Sequence, residues 1–120
     1  MPNEFPSVQI YLTPEYKQNL RDLSKRYRNI RSDTQEVIEQ IQAGKFIGDR
    51  IPGLGENNVV FKVRVKNSNI QKGKSAGYRL IYQLELATSV LLLTIYSKLD
   101  REDISANEIL SILGEFYENE

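Results

Sequence analysis

Residues 59 to 98, VVFKVRVKNSNIQKGKSAGYRLIYQLELATSVLLLTIYSK, decide the fold, because they hold three strand-like runs separated by turn-rich joints. The runs span about 58 to 66, 77 to 86 and 89 to 98. In the first, Val59, Phe61, Val63 and Val65 point one way and Val60, Lys62, Arg64 and Lys66 the other, so one face reads as core and the opposite face as a basic row. In the second, Tyr78, Leu80, Tyr82 and Leu84 share a face, and Gly77, Arg79, Ile81 and Gln83 share the other. The third is apolar almost throughout, which predicts a central strand buried on both sides.

Outward from this block, Val8, Ile10 and Leu12 alternate as a short first strand. Thr13 before Pro14 reads as an N-cap followed by proline at the first helical position. Tyr16, Leu20, Leu23 and Tyr27 then make one apolar face of a helix over about 14 to 28, whose other face is rich in Lys and Arg. A second helix is expected from Asp33, with Glu36 as its reciprocal cap, Val37, Ile38 and Ile41 on its apolar face, and Gly44 at its end. The short connection predicts an antiparallel helix hairpin. Residues 48 to 58, GDRIPGLGENN, sustain neither periodicity. At the C-terminus Ser105 and Glu108 form a capping box, Ile104 can staple against Ile109, and Ile109, Ile112, Leu113 and Phe116 form an apolar stripe. The expectation is one α+β domain over 1–120. Its order is β-α-α-β-β-β-α, a small antiparallel sheet with an N-terminal helix hairpin and a closing C-terminal helix.

The chain has 120 residues and neither cysteine nor histidine, which removes thiol nucleophiles, serine–histidine triads and imidazole acid–base chemistry. Nowhere do eighteen apolar residues run together, so a cytoplasmic protein without a membrane span is expected. Sixteen basic and sixteen acidic side chains cancel, yet they are segregated. Residues 59 to 84 carry Lys62, Arg64, Lys66, Lys72, Lys74 and Arg79 with no acid, and residues 99 to 120 are predominantly acidic. A local anion-binding surface fits that asymmetry. Gly73, Lys74 and Ser75 resemble the end of a nucleotide phosphate loop. However, Ser68 stands where the loop's first glycine belongs, and a strand follows instead of a helix.

Arg79 interrupts an apolar and aromatic strand, and a half-buried arginine there needs an anionic partner that its sequence neighbours do not supply. Across a sheet pair it can reach Lys62 or Arg64. Lys72 and Lys74 sit in the intervening joint, Lys98 closes the third strand, and Tyr82 or Tyr96 can lie near. The expected ligand is a polyanion. Acidic Glu115, Glu118 and Glu120 of the last helix can cover that face in the free protein.

The run FKVRV, the basic joint, GYRLIYQL, and LLLTIYSKLDREDIS with its final helix resemble the RelE/ParE superfamily of bacterial toxins, most closely its RelE-like and HigB-like members. The resemblance implies a RelE-like fold and an mRNA interferase, the toxin of a toxin–antitoxin system. Such an endoribonuclease cuts mRNA on the ribosome, inhibits translation and is silenced by a cognate antitoxin. It implies catalytic roles for Lys62, Arg64, Arg79 and Lys98, with Tyr96 substituting for the family's tyrosine, since Ser105 occupies that place. Lys66, Lys72, Lys74 and Tyr82 are expected to bind RNA.

The chemistry expected is metal-free attack of the ribose 2′-oxygen on phosphorus, with no cofactor. Arg79 holds the phosphate, Arg64 stabilises the transition state, Lys62 is the base, and Lys98 or Tyr96 is the acid. Two alternatives stand beside it: a ParE-like gyrase inhibitor without nuclease activity, and a non-catalytic nucleic-acid-binding module.

Overall fold

The computed structural model describes residues 7–71 and 73–118 and, of Lys74, the backbone alone. Strand β1 is Gln9–Leu12, helix α1 Pro14–Arg26, helix α2 Ile30–Gln42, strand β2 Asp49–Arg50, strand β3 Val60–Val65, strand β4 Tyr78–Leu86, strand β5 Ser89–Ser97 and helix α3 Ala106–Glu118. The five strands form one sheet in the order β1-β5-β4-β3-β2. The class is α+β, as the sequence predicts, but the sheet is mixed, because β1 runs parallel to β5. Alternation within a strand fixes its two faces and says nothing of its neighbour or direction. Here Gln9 donates to the Thr88 carbonyl at 2.8 Å and Thr13 to the Leu92 carbonyl at 3.1 Å, docking β1 on the last strand. Strand β5 is therefore interior and buried on both faces, while β4 occupies the centre.

Thr13 caps α1 as expected. Its hydroxyl oxygen accepts the Tyr16 N–H at 2.9 Å and donates its own proton to the Leu93 carbonyl at 2.7 Å, so the cap also fastens the helix to the sheet. Helix α2 begins at Ile30, not Asp33, and its N-cap Asn29 makes no side-chain cap. Asp33 has a longer-range task instead: its carboxylate accepts the Ser68 N–H at 2.8 Å and the Ser68 hydroxyl at 3.0 Å. The Asn29 side-chain amide donates to Ser68 Oγ at 2.9 Å, while its backbone N–H goes to the Asn69 side chain at 2.8 Å. The turn between α1 and α2 is thus clamped to the β3–β4 connection.

Two apolar layers flank the sheet. Tyr16, Leu23, Ile30, Val37 and Ile41 of the helix hairpin pack on Val63, Val65, Tyr78, Leu80, Tyr82, Val90, Leu92 and Ile95. On the opposite face Ile109, Ile112 and Leu113 of α3 pack on Val60, Ile81, Leu91 and Leu93. The face expected to be a basic row is therefore only partly basic: Val60 at its start is fully buried. The capping box forms, with the Glu108 N–H donating to Ser105 Oγ at 3.2 Å, and Ile104 joins the same apolar cluster as Ile109.

A β-bulge in β5 decides which face Tyr96 joins. Ile81 pairs with Thr94 but Tyr82 with Leu92, so Leu93 is an extra residue on β5. Simple alternation would keep Tyr96 on the side of Leu92, facing the helix hairpin. The inserted residue reverses the phase, sending Ile95 to the hairpin and Tyr96 to the α3 side.

Candidate functional site

Lys62, Arg64 and Arg79 occupy the part of the α3-side face beyond the apolar contacts of that helix. Arg64 pairs with Arg79 across β3 and β4, and Arg79 pairs with Tyr96 across β4 and β5, giving one continuous cross-strand row. Direct partners have Cβ atoms about 5 Å apart, well within reach of these long side chains.

Arg64 is exposed, whereas Arg79 keeps 6% of its surface accessible. The Arg79 guanidinium donates to the Tyr78 carbonyl at 3.2 Å and the Ser75 carbonyl at 3.1 Å, holding its plane against the end of the β3–β4 connection. Burial first, and Arg64 second, lower its basicity from the ordinary arginine value. The closeness of that connection depends on Gly77, where a Cβ would meet the Val65 carbonyl oxygen at 2.1 Å.

Tyr96 is buried, and among the described residues its hydroxyl makes no well-formed hydrogen bond, the nearest acceptor being the Asp103 carboxylate. Burial raises the phenol above its ordinary 10.0, the nearby Asp103 carboxylate pushes the same way, and Arg79 and Arg101 oppose them without reversing the shift. The phenol therefore stays protonated at neutral pH and retains a proton to give. The Arg101 guanidinium lies over its ring, 5.2 Å from the centroid.

Asp103 and Arg101 are the members that sequence reasoning missed. Lys62 Nζ donates to Asp103 Oδ1 at 3.0 Å, and the same oxygen accepts the Ile104 N–H at 2.8 Å. These contacts, the backbone one first, hold the Asp103 carboxyl below its ordinary 3.8, with Lys98 adding to the effect. The internal acidic cover is thus Asp103. Among the described residues, Glu115 and Glu118 stand exposed on α3 and form no ion pair with the basic row, and Glu120 lies outside the described residues. Both missed residues lie within the SKLDREDIS segment, where the alternation of charges is the one available signal.

Lys98 is half-buried and donates to the Glu102 carbonyl at 2.5 Å, bracing the turn that carries Asp103. Lys66 is exposed beyond the end of β3. Lys72 lies outside the described residues, as does the Lys74 side chain. Tyr82 does not belong to the site: it is fully buried on the helix-hairpin face, stacks on Phe61 at 5.4 Å between centroids and donates to the Ile47 carbonyl at 2.5 Å. Its strand position puts it on the face opposite Arg79, a consequence of period-two alternation.

Five cations, Lys62, Arg64, Arg79, Lys98 and Arg101, therefore gather with one phenol and one carboxylate around a sheet face, an arrangement suited to a phosphodiester. The cations can hold and neutralise phosphate oxygens, while the phenol and the carboxylate can give and take protons. No protein-family model matches this sequence, and no curated protein matches it.

Proposed function

We propose that the protein is a RelE-like toxin of a toxin–antitoxin pair, an endoribonuclease that cuts mRNA on the ribosome in the cytoplasm. The observation that carries this reading is the row Arg64, Arg79 and Tyr96 across three adjacent strands, with Lys62 beside it. Two arginines placed opposite each other repel, and an anion bound between them relieves that repulsion. The strand, joint and helix order that resembles the RelE/ParE superfamily supports the same reading.

In the reaction, the ribose 2′-hydroxyl loses its proton as its oxygen bonds to phosphorus. The bond from phosphorus to the 5′-oxygen breaks, leaving a 2′,3′-cyclic phosphate and a 5′-hydroxyl. Arg64 and Lys62 neutralise the non-bridging oxygens, and Arg79 backs them from its buried position. Lys62 is engaged by Asp103, so the proton acceptor in the cluster is that carboxylate, and the Tyr96 phenol supplies the proton to the leaving oxygen. The antitoxin partner is a segment whose acidic groups cover the same cations.

The test is cleavage of mRNA in a programmed ribosome by the purified protein, alongside gyrase supercoiling. Cleavage that falls about a hundredfold in Arg64→Ala supports the assignment. Intact mRNA with inhibited supercoiling would replace it with a ParE-like activity, and RNA binding without either would reduce it to a binding module.

A further inference from the structure

Helix α1 carries a second basic surface that the cleavage site does not use. At about 100° per residue, its inward-facing residues Tyr16, Leu20 and Leu23 share one sector. Lys17, Arg21 and Lys25 lie in a separate sector roughly 135° away, and Glu15 and Asp22 fall on a third flank. Arg28 follows in the turn before α2. All four cations are exposed, and none forms an ion pair with another described residue, although Arg26 on the acidic flank is paired with Asp100 at 2.6 Å. Lys17 with Arg21, and Arg21 with Lys25, are like-charge pairs at four-residue spacing, each of which weakens the helix slightly. The sequence thus sorts its charges by sector within one helix and accepts repulsion in one of them.

We infer that this ridge binds the phosphate backbone of a structured RNA, as a contact additional to the cleavage site; the inference rests on the ribonuclease reading and deepens it. Lys17 to Lys25 covers about 12 Å of helix axis, a length that matches three or four phosphates of one strand. The ridge also leads toward the basic row. The turn holding Arg28 is clamped through Asn29 to Ser68 and Asn69, in the connection that begins with exposed Lys66. An extended polyanion fits such a path better than a compact acidic peptide does.

The probe is a double-stranded RNA of about twenty base pairs carrying 2′-O-methyl groups, which cannot be cut by 2′-oxygen attack. Its affinity for the full chain is measured across salt concentration. Replacing Lys17, Arg21, Lys25 and Arg28 together by Gln is expected to flatten the slope of log affinity against log salt by about 3. That equals roughly a hundredfold less affinity loss between about 50 and 200 mM salt. The charge-preserving set Lys17→Arg, Arg21→Lys, Lys25→Arg and Arg28→Lys is expected to keep the wild-type slope, and circular dichroism checks that both variants are helical. An unchanged slope in the folded Gln variant overturns the inference, as does tighter binding of a polyglutamate peptide than of the duplex. A lost slope contribution with no ribosomal cleavage overturns the nuclease reading alone; cleavage with an unchanged slope overturns the ridge alone.

Discussion

Arg64 and Arg79 are direct cross-strand partners, two cations placed where a sheet gains most from opposite charges. The pair opposes stability, because Arg79 is buried and cannot turn away into water. Arg64→Gln is expected to raise stability by about 0.2–1 kcal/mol while lowering cleavage about a hundredfold. Urea midpoints and ribosomal cleavage on the same preparation check both halves. A less stable variant would mean that Arg64 makes stabilising contacts that outweigh the repulsion.

Arg79 itself behaves differently. Its hydrogen bonds to the Tyr78 and Ser75 carbonyls make it part of the packing as well as of the site, so Arg79→Ala is expected to lose both activity and about 1–3 kcal/mol of stability. Growth inhibition must therefore be read beside a folding measurement. Full stability with lost toxicity would assign Arg79 to phosphate binding alone.

Asp103 gives opposite signs for binding and chemistry. Asp103→Asn frees Lys62, so RNA affinity is expected to rise, while cleavage falls with the loss of the proton acceptor. The pair is largely exposed, and its contribution to stability is below about 1 kcal/mol. Because the folded carboxyl lies below its ordinary 3.8, that contribution is present above the ordinary value and disappears as pH falls through the folded one. The stability difference between wild type and variant should hold constant from pH 7 to about pH 4 and shrink only below that. Cleavage that rises with binding would remove Asp103 from the reaction.

In the proposed reaction Tyr96 sets the alkaline limb. With its phenol raised above 10.0, the proton donor persists through the whole neutral range, and cleavage should not fall for want of it below about pH 10. Tyr96→Phe is expected to slow cleavage by about a hundredfold and to abolish any alkaline limb above that value. An unchanged rate in a folded variant would show that water or another group protonates the leaving oxygen.

The strands from Val60 to Ser97 are legible because their alternation and the turn-forming residues between them act locally, and so are the caps at Thr13 and Ser105, where donor and acceptor lie three residues apart. What the sequence hides is non-local. Asp33 has the spacing of a cap yet binds Ser68, thirty-five residues on, and β1 finds its partner at the other end of the chain. The extra residue at Leu93 leaves no mark in a uniformly apolar run, though it alone turns Tyr96 toward Arg79. Arg79 is readable as an anomaly; Asp103, one acid among several in its segment, is not.

Tyr82 tests the separation of the two sheet faces. Its ring is fully buried against Phe61, and its hydroxyl reaches the carbonyl of Ile47, the residue before Gly48. At Gly48 the backbone passes so near β3 that a Cβ would lie 2.6 Å from the Lys62 carbonyl oxygen. The hydroxyl therefore helps hold the segment entering β2 against β3. Tyr82→Phe keeps the stacked ring and removes only that donor, leaving a half-buried carbonyl unsatisfied, at a cost of about 1–2 kcal/mol. Because the side chain lies on the face opposite Arg79, RNA affinity and cleavage measured well below the unfolding midpoint should stay at wild-type values. A variant of unchanged stability that binds RNA weakly would bring Tyr82 back to the binding surface, and would require the ring to leave the core.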